Sequence, residues 1–133
     1  MVVKTETKMW GPGGVAFISP QEDKAVTTLC RIWKITQKQF NEVKSQEGSW
    51  YEELIKIGDD SGIPIYTITH KERLNNILRP SDSYLNTIII GLQETHRLSN
   101  EEIANYLIEI EGVKDNITKE EILRMVDKVE AEK

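Results

Sequence analysis

Apolar residues along this chain follow two different periods, and the change of period falls near Pro80. Before it the pattern is short and strand-like. The first nine residues carry little apolar content and read as an arm or an edge strand. Trp10-Gly11-Pro12-Gly13-Gly14 is a glycine-dense loop, and Val15-Ala16-Phe17-Ile18 a short strand closed by Ser19-Pro20 and a charged turn at 21–24. Residues 27–35 are rich in β-branched side chains, with Leu29, Arg31, Trp33 and Ile35 on one face, and predict a further strand. Thr36-Gln37-Lys38-Gln39 fits a capping box, in which the threonine hydroxyl accepts an amide proton while the glutamine reaches back. It opens a short helix with Phe40 and Val43 on one face and Gly48 as its stop. Residues 50–57 and 63–68 read as a hairpin turning at Asp59-Asp60-Ser61-Gly62. Pro64, without an amide proton, belongs at a strand start or edge.

After Pro80 the period becomes helical. Tyr84, Ile88, Gly91, Leu92 and Thr95 recur on one side, and Leu85 and Ile89 widen the stripe. Ser99-Asn100-Glu101-Glu102 is a second capping box, opening a helix with Ile103, Tyr106, Leu107 and Ile110 inward. Thr118-Lys119-Glu120-Glu121 is a third, opening a helix with Ile122, Met125, Val126 and Val129 inward. Strands first and helices last give an α+β class, with a helical part over about 81–133. Strand–helix alternation of a dinucleotide-binding sheet is absent.

The bulk numbers narrow the classes. At 133 residues the chain predicts one domain over 1–133. A formal net charge of −5 disfavours nucleic acid and anionic membrane as partners, since both need compensating positive charge. No apolar run is long enough to span a bilayer, and the start is too polar for a signal peptide. One cysteine, Cys30, excludes an internal disulfide and any multi-cysteine metal site. A reducing, cytoplasmic setting is the expectation.

Candidate chemistry concentrates at Gln46-Glu47-Gly48. A carboxylate at a helix C-terminus faces the negative end of the helix dipole, and cover from Trp50 and Tyr51 would raise its pKa. Such a glutamate can both take and give a proton near neutral pH, so Glu47 is the candidate acid/base. Against this stands a plain solvated helix end. The Trp10 to Gly14 loop can bring backbone amides close to a ligand, but no Lys-Ser/Thr pair follows it, so it is no P-loop. Its simpler reading is a turn entering a strand. His70 and His96 have no partner at metal-ligand spacing, and each reads as a surface residue rather than a ligand. Cys30 alternates within a strand pattern and reads as a buried, inert thiol.

Three segments in order resemble the gamma-glutamylcyclotransferase-like family. They are Trp10-Gly11-Pro12-Gly13-Gly14-Val15-Ala16-Phe17-Ile18, similar to the family's Trp-x-Gly-Gly-hydrophobic strand; 31–51, with Arg31-Ile32-Trp33, Gln46-Glu47-Gly48 and Tyr51; and Pro80-Ser81-Asp82-Ser83-Tyr84-Leu85. The resemblance implies a small mixed β-barrel with flanking and C-terminal helices. It implies cyclisation of a small γ-glutamyl amide to 5-oxoproline without a metal or an organic cofactor, with Glu47 shuttling the proton and Gly13, Gly14, Tyr51 and Tyr84 at the substrate. The family's N-terminal Tyr-Gly-Ser-Asn-type substrate loop has no counterpart before Trp10, so the match covers the later two thirds of that domain. The gap fits a fragment or truncated chain, a chain completed by a partner, or a member that has lost catalysis. A barrel lacking a strand also exposes an edge, which favours a homodimer.

Two further function classes stand beside the enzyme. One is a non-catalytic binding or oligomerisation domain on the same scaffold. The other is a helix-turn-helix module entered at Leu98-Ser99-Asn100-Glu101-Glu102. Its final helix mixes charges and offers no basic face to phosphates, which argues against it.

Overall fold

The computed structural model describes residues 2–7, 11–47, 51–71 and 77–132. Trp10, Gly48 and Trp50, on which part of the sequence reading rests, lie outside the described residues. The architecture is α+β. In chain order it runs β1 (Val2–Thr7), β2 (Gly11–Ala16), α1 (Gln37–Gln46), β3 (Glu53–Asp60), β4 (Ile63–Thr69), α2 (Asp82–Gly91), a π-helical turn (Leu92–His96), α3 (Asn100–Leu107) and α4 (Lys119–Ala131).

Among the described residues the strands form two separate two-stranded antiparallel sheets, β1–β2 and β3–β4. The expected mixed barrel is not seen. Residues 27–35, strand-like in composition, belong to neither sheet and run as irregular chain, so the pairing that would extend a hairpin towards closure is missing. Contacts divide the chain into two compact units, one of Met1–Phe17 with Asn75–Lys133 and one of Ile18–Leu74.

The first unit has a true apolar core. Val15 and Phe17 are buried after β1–β2 pairing, as are Leu85, Ile89 and Leu92 of the first helical stretch, Ile103, Ala104 and Leu107 of α3, and Ile122, Val126 and Val129 of α4. Full burial of a side chain of this size contributes about 1.5–3 kcal/mol. The helices start where the caps place them. Ser99 Oγ accepts from the Glu102 amide at 3.2 Å while the Glu102 carboxylate accepts from the Ser99 amide at 3.1 Å. At α4 only half of the expected box forms. Thr118 Oγ1 accepts from the Glu121 amide at 3.1 Å, and the hydroxyl in turn donates to the Glu121 carboxylate at 3.3 Å. On the solvent side the Asn100 amide donates to Asp127 and Glu130, each at 3.1 Å, which fixes α3 against α4. Residues 108–118 form the turns between these helices, with Gly112 at φ 96° and Asp115 at φ 65°. That connection is far longer than the roughly 3–4-residue turn of a helix-turn-helix.

The second unit is built differently. Ser61 (φ 51°) and Gly62 (φ 83°) both take positive φ, the requirement of a two-residue type I′ turn, and Asp60 pairs with Ile63 across it. A register shift between Lys56 and Gly58 leaves Ile57 as the extra residue of a β-bulge. Thr36 caps α1 in the predicted box, accepting from the Gln39 amide at 3.1 Å and donating its own to Gln39 at 2.8 Å. The rings of Phe40 and Tyr66 meet at 6.4 Å between centroids. Thr69, whose hydroxyl donates to the Ile18 carbonyl, is the one buried residue among the described residues of this unit. No apolar core is formed among the described residues of this unit.

Candidate functional site

The residues singled out by sequence fall into both units. Gly13, Gly14 and Tyr84 meet in the first. The Gly14 amide donates to the Arg79 carbonyl at 2.9 Å, and Gly14 forms a parallel bridge with Pro80. Gly13 sits at φ 147°, and a Cβ built there would lie 2.8 Å from the Ser81 nitrogen and 3.0 Å from the Arg79 oxygen. Gly13 therefore serves a close approach of backbone to backbone. Tyr84 anchors the same corner, its hydroxyl accepting from the Ala16 amide at 2.8 Å. Ser81 caps α2 by accepting from the Tyr84 amide at 3.3 Å, and Arg79 reaches Asp82 at 3.1 Å. The polar groups of this corner are spent largely on each other.

Glu47 and Tyr51 lie in the second unit. Glu47 is the C-cap of α1, with φ −73° and ψ 146°, and its amide donates to the Lys44 carbonyl at 3.3 Å. Its side chain is exposed, and Tyr51 is half-buried. Both border a concave surface of about 1150 Å³, formed by residues 30–37, α1 and the β3–β4 hairpin. Its lining is mainly apolar, and the charged members, Arg31, Lys34, Glu47 and Asp60, balance one another. Trp33 is 65% exposed and Ile32 58% exposed on it, with the Arg31 guanidinium 4.0 Å above the Trp33 ring. Leu54, Ile63 and Tyr66 are exposed on the hairpin side.

Cys30, expected to be buried, is an exposed free thiol, because the segment carrying it enters no sheet. Among the described residues no group of three His, Cys, Asp or Glu side chains is placed to hold a metal ion. No helix among them is long and apolar enough to cross a membrane.

Sequence reasoning missed two features. The first is the apolar concavity itself, whose residues were read as ordinary strand faces. The second is a pair of amides on the first helical stretch: Asn86 Oδ1 and both amide atoms of Gln93 are buried without a hydrogen-bond partner. Gln93 falls in the π-helical turn, a form of helix often found at functional positions. Two amides seven residues apart on an otherwise apolar helical face were the available sign.

No family model matches this chain. It is similar to Histone deacetylase 5 of Arabidopsis thaliana, with 31% identity over 137 aligned residues that cover 74% of this chain and 21% of that protein. The chain thus spans about a fifth of the relative it matches. No solved structure matches it. These findings overturn the resemblance to gamma-glutamylcyclotransferases, which finds no family model behind it and a relative of another name. The physical reason is visible at the motifs. Gly13, Ser81 and Tyr84 have packing and capping duties within one corner that many folds can require, so these motifs do not by themselves mark that family.

Proposed function

We propose that this chain is a non-catalytic interaction domain that binds another protein surface through the concave apolar face of the Ile18–Leu74 unit. The observation that carries this reading is the exposure of Trp33, Ile32, Leu54, Ile57 and Ile63 together in a unit with no apolar core among its described residues. Contiguous apolar exposure of this kind marks interaction sites, and Trp, Tyr and Arg are the residues enriched where binding energy concentrates. Covering the exposed halves of Trp33, Ile32 and Ile63 alone would contribute about 3 kcal/mol.

The similarity to part of Histone deacetylase 5 suits an accessory module. It reaches 21% of that protein, so the deacetylase activity in its name is not carried over to this chain. The test is affinity co-purification with the wild type and with a Trp33→Ser/Ile63→Ser variant. Both positions are exposed, so the variant keeps its helical circular dichroism and loses its bound proteins. A folded variant with an unchanged set of partners would overturn the reading.

A further inference from the structure

We propose that the occupant of this face is a second copy of the chain, with residues 31–35 of each copy laid along the free edge of the other's β3. The inference rests on the reading of the Ile18–Leu74 unit as a contact surface and names its partner. Three observations carry it. First, β3 pairs only with β4 in a two-stranded sheet, so β3 keeps one unpaired edge among the described residues. An isolated two-stranded hairpin is marginal in water and gains from a further strand. Second, residues 31–35 carry Ile32, Trp33 and Ile35 exposed, with strand composition but no place in a sheet.

The third observation is charge. From Ala25 to Asn41 the chain holds Arg31, Lys34 and Lys38 and no acidic residue. β3 holds Glu53, Asp59 and Asp60 against Lys56, and Glu52 precedes it. Lys56 and Asp59 offset each other at 3.2 Å, which leaves Glu52, Glu53 and Asp60 as the unbalanced charges. The β4 edge is the poorer partner, since Ile63–Thr69 is uncharged and Pro64 lacks an amide proton. A basic strand and an acidic edge on one chain make a self-complementary surface. Two-fold pairing then satisfies both contacts at once.

The experiment is sedimentation of the whole chain over a dilution series, with two charge-reversed variants. Arg31→Glu/Lys34→Glu makes both contact surfaces acidic, and Glu53→Lys/Asp59→Lys makes both basic. The wild type is expected to dimerise, more weakly as salt rises. Each variant alone weakens the dimer by about tenfold or more, because like charges then face each other. An equimolar mixture of the two restores it, since opposite charges meet at both contacts. A pairing confined within one chain gives no recovery on mixing. A wild type that stays monomeric, a dimer indifferent to both reversals, or a mixture without recovery overturns the proposal. Binding of bis-ANS, lost in Trp33→Ser/Ile63→Ser, separates the two readings. If the chain is monomeric but binds the dye there, only the self-pairing fails. If it is monomeric and binds none, the contact surface fails with it.

Discussion

Replacing Gly13 with alanine tests the corner that joins β2 to the start of α2. The new Cβ would sit 2.8 Å from the Ser81 nitrogen, 3.0 Å from the Arg79 oxygen and 3.3 Å from the Pro80 carbonyl carbon. All three are backbone atoms, so no side chain can swing aside. The φ of 147° adds strain of about 1–3 kcal/mol for any residue with a Cβ. Relief requires β2 to withdraw from 79–81, which loosens the Gly14–Arg79 hydrogen bond at about 1 kcal/mol and crowds that of Ala16 with Tyr84. Overpacking costs of about 1–3 kcal/mol apply to whatever strain remains. A lower unfolded-state entropy returns about 0.5 kcal/mol. The expected net loss is about 2–5 kcal/mol, a large share of the stability of a domain this size. Two other glycines separate the causes. Gly62 has φ 83° and open space around it, so alanine there costs about 1 kcal/mol of strain and no clash. Gly91 is helical at φ −60° and ψ −40° with nothing near it, so alanine gains about 0.5–1 kcal/mol. Urea unfolding followed by far-ultraviolet circular dichroism measures all three. If Gly13→Ala matches Gly62→Ala, the close backbone approach has no energetic weight and the argument fails.

Two other perturbations probe the same unit. The hydrogen bond from the Ser99 amide, and then the one from its side chain, hold the Glu102 carboxyl below its ordinary value of 4.5. A lowered folded-state pKa stabilises above the unfolded value and loses that contribution as pH falls through the folded one. The denaturation midpoint of the wild type should therefore drop towards that of Glu102→Gln on acidification below 4.5; a gap between the two that ignores pH would contradict this. Gln93→Met removes two buried amide atoms that have no partner and keeps the shape, so it should raise the unfolding free energy by about 1 kcal/mol. A fall of that size would mean that the amide holds something in place.

How far the sequence could be read depended on whether local rules agreed with packing. The caps at Thr36, Ser99 and Thr118 were legible because a cap is decided within four residues. The Asp59 to Gly62 hairpin was legible for the same reason. Helical faces were nearly so: Ile103, Leu107, Ile122, Val126 and Val129 are buried as their spacing predicted, Tyr106, Ile110 and Met125 are half-buried, and Ala104 is buried beside them. The strand over 27–35 was misread because strand composition states only a capacity to pair, and pairing needs a partner edge elsewhere. The same limit explains Cys30, exposed instead of buried. At the candidate site, Glu47 was named on two grounds, a carboxyl at a helix end and, mostly, the family resemblance. The burial that its acid/base role required lies in tertiary contacts, and its side chain is exposed.

The two units also differ in a way that composition alone conceals. Apolar residues after Pro80 sit at three- and four-residue spacings, so three helices bring them to one interior and bury them. Those of 26–68 are as numerous in kind, but they are dispersed over one short helix, one hairpin and one irregular segment. A single hairpin has two faces and one helix can cover only part of one. Val43, Leu54, Ile57, Ile63 and Tyr66 thus remain exposed even though each sits in a regular element. Burying them requires more strand or more helix than the described residues of that unit contain. The addition that the molecule can supply from its own surface is the basic, strand-like stretch around Trp33 of a second copy, matched in charge to the acidic edge of β3.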